Sequence, residues 1–400
     1  MAKILISSLG TGRKEEGTYL KAKYEIDKKI YETTFIADAL NKHFDFDKIF
    51  LIGTKKSIWD EAYMVFGGED EAYIEELYEK KEEGKIDESS LKKFKATLPL
   101  GLEPIIVKYG LDDDELWENF TEFVDIATNI EDGDELYLDI THSFRSLSLM
   151  SFVMTQFAHT ISNKNFKIKG VFYGMFEYKG DNNGITPIVD IKILLEIQEW
   201  IKAIDAIKNY SDFNPLIQLL DENKIEKDVQ NTFINLNNNI SLANIASIKQ
   251  FVSTASKKIR AIQNSDNKIV KLLAPEILNL VDRLNKEKMS DFQYELALWF
   301  YDNKNYALSY MALAEAIITK TCELKLPDES FEDKDTREEA KRRIDAPYDK
   351  YYWKYKDTET ISEIRNNIAH QLSDRKDKVN QDIKKLDLFL NEFKAYFEKN

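Results

Sequence analysis

The stretch "DELYLDITHSFRSLSLM", residues 134–150, decides the fold that the sequence predicts for the first half of the chain. Its mainly apolar run 136–140 is typical of a buried strand, and the polar residues that follow are typical of a helix start, with Thr141 or Ser143 as the N-cap. From Leu147 onward, apolar residues recur at helical spacing. A buried strand that leads directly into a helix is the repeating step of an α/β domain built on a parallel sheet.

The alternation of strand and helix extends over residues 1–190. Further strands are predicted at 3–9, 48–54, 104–109 and 168–176, and helices at 24–43, 113–130 and 143–162. This order is Rossmann-like and predicts a mainly parallel sheet. Residues 67–95, which are rich in charge, interrupt the pattern as a helical insertion that we interpret as a solvated helical pair.

The second half of the chain has a different pattern. Residues 178–190 are rich in Gly, Asn and Pro and predict a turn-rich break. Beyond that break the sequence has helical periodicity, for example in 194–207 and 294–324. The predicted fold class is therefore α/β plus all-α, with a Rossmann-like domain over 1–190 and a helical domain over 191–400.

The composition restricts the classes of function and location. The 400 residues carry a formal net charge of −15, which repels polyanions, so any contact with nucleic acid is expected to be local. A single cysteine, Cys322, excludes an intrachain disulfide, and no Cys and His residues have the spacing of metal ligands, so we expect no metal site. No apolar run approaches the ~20 residues that span a bilayer. We therefore expect a soluble, cytoplasmic protein without a membrane partner.

Two loops at the predicted sheet edge have residues suited to ligand binding, because ligands of open parallel sheets bind beyond the carboxyl ends of the strands. The first loop, "SSLGTGRK" at 7–14, offers glycines for close backbone approach and hydroxyl and guanidinium donors, although a simple turn is the alternative. Its glycine spacing matches neither the dinucleotide fingerprint nor the phosphate loop, which disfavours a dinucleotide-dependent enzyme. The candidate ligand residues in this loop are Ser8, Gly10, Thr11, Gly12 and Arg13.

The second loop follows the strand at 134–140 and begins the next helix, whose N-terminus has free N–H groups and the positive end of the helix dipole. Polar donors there, beside an aromatic ring able to stack on a base, suit a nucleotide-like anion. The candidate ligand residues are Thr141, His142, Ser143, Phe144 and Arg145. The alternative is that Thr141 only caps the helix and His142 only packs.

A third candidate site is the stretch "EIRNNIAHQL", residues 363–372. One helix face is predicted to be buried because apolar residues recur there at intervals of three and four: Ile361, Ile364, Ile368 and Leu372. In an α-helix Arg365 and His370 lie ~140° apart, whereas Asn366 and His370 are neighbours. One copy of this helix therefore makes a poor active site, but two copies across a two-fold axis would line one cleft.

The residue types at this third site suit metal-free cleavage of RNA, in which the ribose 2′-OH attacks its own phosphate. A histidine near its ordinary pKa transfers protons at neutral pH, and an arginine holds phosphate in a bidentate fork. The alternative is structural: Arg365 pairs with Glu363 or a distant acid, and His370 caps the helix C-terminus, where a cation is favoured.

Residues 341–356 hold six Lys or Arg against two Asp, with four Tyr and one Trp between them. Such a basic, aromatic strip can follow backbone phosphates and stack unpaired bases, so it is where an acidic protein could bind RNA. The candidate RNA-binding residues are Arg342, Arg343, Tyr351, Tyr352 and Lys354. A solvated helix and loop with the Tyr rings packed inward is an equally open interpretation.

Two of these stretches together resemble one known family. "LDITHSFRS" resembles the D-x-T-H-G motif of a branch of CRISPR-associated proteins with a Rossmann-like sensor (CARF) domain, and "RNNIAH" is similar to the R-x4-6-H motif of the HEPN ribonuclease domain. The order of an α/β half and an all-α half resembles the CARF–HEPN effectors of type III CRISPR systems over essentially the whole chain. Asp139, Thr141 and His142 match the sensor motif, so the resemblance adds Asp139 to the candidate ligand residues, and Ser143 stands where the motif has Gly.

The resemblance implies a homodimer whose CARF pair binds a cyclic oligoadenylate and whose HEPN pair then cuts single-stranded RNA without metal, leaving 2′,3′-cyclic phosphate ends. Cyclic tetra-adenylate is expected as activator rather than the hexa-adenylate, and no cofactor is expected. Arg365, Asn366 and His370 match the catalytic positions. The rival hypothesis is a non-catalytic dimer that senses a nucleotide and whose helical domain recruits a partner.

Overall fold

The chain divides into two compact units, Met1–Leu194 and Leu195–Asn400, a boundary four residues beyond the predicted one. The computed structural model describes residues 1–97, 101–142, 145–161, 164–264, 268–353, 359–370 and 378–398. Each unit has its own apolar core. The two units are considered separately below.

The strands of unit 1 are β1 (Lys3–Leu9), β2 (Lys14–Glu15), β3 (Thr18–Tyr19), β4 (Ala22–Ile26), β5 (Lys29–Thr33), β6 (Lys48–Gly53), β7 (Gly101–Ile106), β8 (Glu135–Asp139), β9 (Lys167–Gly174) and β10 (Ile185–Asp190). Its helices are α1 (Ile36–Phe44), α2 (Trp59–Val65), α3 (Glu71–Glu82), α4 (Glu88–Thr97), α5 (Asp113–Thr128) and α6 (Arg145–Ile161), with a 3-10 helix at Phe176–Gly180.

Eight strands form one sheet in the order β5-β4-β10-β9-β8-β1-β6-β7. The five strands from β9 to β7 are mutually parallel, and in chain order they follow the 3-2-1-4-5 arrangement of a Rossmann-like sheet. β1 and β6 are almost continuously buried, as expected for strands covered on both faces. The predicted Rossmann-like fold with a mainly parallel sheet is confirmed. Its topological switch point lies between β1 and β8.

The predicted helix at 24–43 is wrong in its first half. β4 and β5 form a hairpin there, and the helix α1 begins only at Ile36. The hairpin turns at Asp27 and Lys28, whose φ angles of 48° and 66° are those of a two-residue turn matched to strand twist. Tyr24 and Ile26 are buried, and their two-residue spacing is that of a strand. In so short an apolar run, the sequence pattern alone does not distinguish a strand from a helix.

Two further predictions about unit 1 need correction. The strand predicted at 104–109 lies three residues earlier, as β7. The segment 178–190, predicted as a break, contains the strand β10, which pairs antiparallel with β9 and parallel with β4. The strand was missed because the Gly and Asn residues just before it are typical of turns.

The predicted insertion at 67–95 is helical, as α3 and α4. Its interpretation as a solvated pair is wrong for the inner face, where Tyr73, Leu77 and Phe94 are buried in the core of unit 1. The Tyr73 hydroxyl donates to the carbonyl of Ser90 at 2.5 Å and accepts from the Phe94 amide at 3.1 Å, which ties the two helices together. The insertion is therefore part of the core of unit 1.

Unit 2 is built from helices throughout its described residues, as predicted. They are α7 (Ile193–Tyr210), which begins at the end of unit 1, α8 (Asn214–Glu222), α9 (Lys227–Ser241), α10 (Ile245–Ile262), α11 (Lys268–Leu284), α12 (Met289–Asp302), α13 (Tyr306–Lys325), α14 (Lys334–Arg342), α15 (Asp349–Tyr352), α16 (Ile361–His370) and α17 (Val379–Phe397). The pattern at 294–324 is two helices, because the chain turns at Lys304 with φ 60°.

None of the described helices combines the length and the apolar character that crossing a membrane requires.

Candidate functional site

A cavity of about 690 Å³ opens at the carboxyl ends of the central strands of unit 1. Its wall includes the residues that follow β1, β6, β8 and β9, which is the edge where a Rossmann-like sheet binds its ligand. Six predicted ligand residues line it: Gly10, Thr11, Gly12, Arg13, Thr141 and His142. The fold therefore brings together two loops that are about 130 residues apart in the chain.

Not every predicted ligand residue belongs to this wall. Ser8 and Asp139 are buried in β1 and β8 and do not line the cavity, so their predicted direct contact with a ligand is wrong. Ser143 and Phe144 lie outside the described residues, as does the side chain of Arg145, whose backbone begins α6.

Asp139 instead organises the loop after β8. The hydroxyl of Ser7 donates to Asp139 Oδ2 at 2.5 Å, and the backbone N–H of Thr141 donates to Oδ1 at 2.9 Å. Thr141 Oγ1 in turn accepts from the amide of Gly174 at 2.8 Å, which joins β8 to the end of β9. Complete burial raises the pKa of Asp139 to about 6 despite these hydrogen bonds.

The imidazole of His142 is a titratable group of the cavity wall, and its surroundings change its pKa strongly. Burial lowers its pKa to about 4, so the ring is neutral at pH 7. Its Nε2 lies 3.1 Å from the hydroxyl of Tyr24, which meets the imidazole edge-on. The neutral ring is a positioned hydrogen-bonding group, so the cations of the cavity wall at pH 7 are other residues.

Those cations come partly from residues that the sequence interpretation missed. Lys21 and Lys179 line the cavity with Arg13, and the aromatic face of Phe176 lies under two of them, 4.0 Å from Lys179 Nζ and 5.7 Å from Arg13 Cζ. Tyr173 adds a second aromatic wall. Phe176 is the last residue of a predicted strand, and ligands bind beyond such strand ends, so the sequence contained a signal for it. Lys21 was missed because it precedes the hairpin of β4 and β5, which was not predicted.

Gly12 is the position where the first loop requires glycine. Its φ of 69° is in the left-handed region, and a Cβ there would lie 2.8 Å from Ile58 Cγ2 and 2.9 Å from the ring of Tyr19. The loop therefore packs closely on residues behind the cavity wall.

The third candidate site lies on α16 in unit 2. Ile361 and Ile364 are buried and Ile368 packs against the same core, as predicted, while Leu372 lies outside the described residues. Thr360 precedes the helix, and its N–H donates to Glu363 Oε2 at 3.2 Å, which fixes the start of α16. Asn366 and His370 are exposed to solvent.

Within the part of the chain that the structure describes, two interactions hold Arg365. Its Nη2 lies 3.6 Å from Glu315 Oε1 on α13, and its Nη1 donates to Asn366 Oδ1 at 3.0 Å. The same Glu315 also pairs with Arg337. The predicted alternative of a distant acid partner is thus realised, but such a pair also fixes a guanidinium for phosphate binding. The sequence contained no signal for Glu315, which lies 50 residues upstream.

The basic strip does not have the surface that was predicted. Tyr352 is 4% exposed, so its ring cannot stack on a base and its assignment to RNA binding is wrong. Tyr351 is half-buried and packs near the rings of Phe389 and Phe393, which fits the inward-packed alternative. Arg342 and Arg343 both pair with Glu339, and Lys354 lies outside the described residues. RNA binding by the two arginines stays a prediction.

The chain thus has the features of one class of protein: a Rossmann-like domain followed by an all-helical unit. The cavity at the switch point of the Rossmann-like domain is lined by three cationic side chains, two carboxylates and several aromatic rings. Residues 4–177 match the family model described as "CRISPR system endoribonuclease Csx1, CARF domain", and residues 196–291 match "CRISPR-associated protein MJ1674, second domain".

The curated protein "CRISPR-associated protein MJ1674" of Methanocaldococcus jannaschii is 33% identical over 352 residues, covering 81% of this chain and 54% of that protein. The chain therefore spans about half the length of this relative. A solved structure, "Enterococcus italicus Csm6 bound to cyclic hexa-2'-fluoro-hexa-dAMP", aligns with 98% of this chain and 93% of its own at 13% identity and a TM-score of 0.41. The chain belongs to the CRISPR-associated proteins that carry a CARF domain, as its resemblance predicted.

Asp139 and His142 are expected to give the stability of the chain opposite dependences on pH. The pKa of Asp139 is raised to about 6, so as pH falls towards 4 the folded state takes up this proton first and stability rises. The pKa of His142 is lowered to about 4, so over the same range the unfolded state binds the proton first and stability falls. Each effect amounts to about 3 kcal/mol, so the two nearly cancel.

We predict that Asp139→Asn, which leaves only the effect of His142, loses about 3 kcal/mol more of its free energy of unfolding than the wild type between pH 7 and pH 4. His142→Asn should deviate in the opposite direction. Urea denaturation over a pH series measures both. Parallel pH curves for the wild type and the two variants would contradict the burial of these charges.

Proposed function

We propose that this chain is an RNA endonuclease of type III CRISPR defence that a cyclic oligoadenylate activates. The observation that carries the proposal is the cavity at the β1–β8 switch point, within a CARF domain. Arg13, Lys21 and Lys179 supply positive charge for phosphates, and Tyr173 and Phe176 supply aromatic faces for adenines. Hydroxyls of the two loops and the N-terminal end of α6 complete a set of groups suited to a cyclic, polyanionic nucleotide.

A homodimer is part of this proposal, and an exposed apolar face of unit 1 supports it. Trp117 on α5 is 66% exposed, and on α6 Leu149 and Val153 are also exposed. The rings of Trp117, Phe120 and Phe157 form a chain with centroid distances of 5.3 and 5.2 Å. Such a contiguous apolar face is typical of an interaction surface. Because α6 begins at the ligand loop, a second copy on this face would place two cavities near one axis.

The proposed reaction is an attack of the ribose 2′-OH on the adjacent phosphate. The bond to the 5′-oxygen of the next nucleotide breaks, which leaves a 2′,3′-cyclic phosphate and a 5′-hydroxyl. His370 transfers the proton, and Arg365 stabilises the charge that develops on the phosphate oxygens. Asn366, already bonded to Arg365, positions the phosphate or the imidazole. No metal ion is required by these roles.

Activation follows from differential binding. The ligand favours the arrangement of the dimer in which the two α16 helices form one cleft, and its preference for that arrangement limits the activation it can produce. Cyclic tetra-adenylate is the expected activator. The competing function is a non-catalytic sensor whose helical unit recruits a partner; the pairing of Arg365 with Glu315 is also compatible with a structural role.

We predict that the wild type cleaves a fluorescent single-stranded RNA in EDTA when cyclic tetra-adenylate is present and that His370→Ala lowers the rate about 10²–10⁴-fold, as expected for loss of a general acid or base. Asn367→Ala, on the same helix, is the matched control and should retain activity. Unchanged cleavage by His370→Ala would remove the catalytic assignment, and inactivity of the wild type with every ring size would favour the non-catalytic sensor.

We predict that Val153→Glu, which introduces a charge into the apolar face, converts the dimer into a folded monomer and abolishes RNA cleavage, because the cleft needs two copies. Analytical ultracentrifugation measures the mass, and circular dichroism checks the fold. Leu242→Glu, at an even more exposed apolar residue of unit 2, should remain dimeric. A dimeric Val153→Glu variant would place the interface elsewhere.

A further inference from the structure

Behind the cavity wall lies a buried polar cluster that the proposed reaction does not use. It joins Tyr19 on β3, Asp60 on α2 and Lys81 on α3, which are 8%, 3% and 6% exposed. Lys81 Nζ lies 2.6 Å from the Tyr19 hydroxyl, and that hydroxyl lies 3.0 and 2.9 Å from the two carboxylate oxygens of Asp60. None of the three lines the cavity.

The hydrogen bonds of this cluster have a defined direction. Burial, and secondarily the negative charge of Asp60, raise the pKa of Tyr19, so the phenol keeps its proton. Lys81 therefore donates to Tyr19, and Tyr19 donates to Asp60. Lys81 has further compensation for its burial in Glu82, 3.0 Å away, and in the face of Tyr78 at 4.7 Å. Each partner fixes the next, so the ring of Tyr19 has one favoured position.

That ring is the surface against which the first ligand loop packs. A Cβ on Gly12 would lie 2.9 Å from two ring carbons of Tyr19, so backbone and ring are in close contact. The amide of Leu20 donates to the carbonyl of Arg13 at 2.8 Å, which closes the β2–β3 hairpin on the cationic residue of the cavity. The position of Arg13 therefore depends on the position of Tyr19.

A second contact connects the hairpin to the insertion. Lys14 Nζ lies 4.3 Å from the ring centroid of Tyr19 and 3.9 Å from that of Tyr78 on α3. On the other side of the loop, the amide of Ile58 donates to the carbonyl of Gly10 at 3.0 Å. The loop between Gly10 and Arg13 is thus held from α2 and, through Tyr19 and Lys14, from α3.

We propose that the charged helical insertion is a brace for the ligand site, in which Lys81 and Tyr19 are positioning residues that set the affinity for the anionic ligand by fixing the loop from Gly10 to Arg13. The proposal rests on the proposed ligand-binding function of the cavity. It gives the insertion a role in sensing, although no insertion residue lines the cavity.

The test compares Lys81→Met with Lys80→Met, a neighbour on α3 whose ammonium pairs with Glu76 at 2.7 Å outside the cluster. Binding of cyclic tetra-adenylate and cyclic hexa-adenylate is measured by isothermal titration calorimetry. Lys81→Met should raise the Kd about tenfold, the effect of losing one buried charged hydrogen bond, and Lys80→Met should leave it unchanged. The concentration of ligand that gives half-maximal RNA cleavage should rise equally, with the maximal rate retained.

If Lys81 only stabilised the fold, Lys81→Met would lower the amount of active protein but would not change the ligand concentration that gives half-maximal cleavage. Tyr19→Phe, which keeps the ring against Gly12 but removes both hydrogen bonds, is the second variant should Lys81→Met fold poorly, and it should raise the Kd in the same direction. Wild-type affinity in both variants would overturn the brace.

Amide hydrogen exchange of residues 10–21 in the ligand-free protein tests, without any ligand, whether the insertion fixes the loop. Exchange there should be about tenfold faster in Lys81→Met than in the wild type or Lys80→Met, because the loop opens more often. Equal rates would overturn the brace. A wild type that binds neither ring, but whose exchange rates differ as expected, would refute the proposed ligand and leave the brace supported.

Discussion

The buried carboxylate of Asp139, at the end of β8, is the constraint on which the candidate sensor site depends. It accepts one hydrogen bond from Ser7 of the neighbouring strand and one from the backbone of Thr141, so it fixes both the register of the two central strands and the direction of the loop that follows. Thr141 then reaches the end of β9. Three strand ends are joined by one charged group that contributes nothing directly to the cavity wall.

Burying the carboxylate of Asp139 costs free energy, which its hydrogen bonds to Ser7 and Thr141 partly offset. The same burial that raises the pKa of Asp139 to about 6 lowers the pKa of His142 to about 4, so near pH 7 the imidazole is neutral and Asp139 keeps most of its negative charge. Positive charge comes instead from Arg13, Lys21 and Lys179 on flexible side chains around the opening. In unit 2 the catalytic candidate Arg365 has the opposite surroundings, since Glu315 lies beside its guanidinium.

Much of the fold was predictable because strong local patterns agreed with it. The strands β1, β6, β8 and β9 are short segments rich in apolar residues, and both ligand loops were located by the rule that ligands bind beyond the carboxyl ends of parallel strands. The hairpin β4–β5 and the strand β10 were missed because short alternating runs and Pro-containing strands are ambiguous without their partners.

The site was predictable as two loops but not as a cavity. Lys21, Tyr173 and Lys179 come from the elements next to those missed strands, and Asp139 looked like a ligand residue although it is buried. Glu315 and Lys81 act through distant residues, Arg365 and Tyr19, and no local pattern records such a contact. Tyr352 has an aromatic ring of the kind that stacks on bases, but the ring is buried in the core of unit 2.

Native mass spectrometry of the wild type mixed with cyclic oligoadenylates tests the central claim most directly, because the proposed site is shared between two copies of the chain. The account predicts a complex of two chains with one ring, formed with cyclic tetra-adenylate in preference to the hexa-adenylate. A dimer that retains no ring, or a single chain that binds a ring by itself, would contradict it.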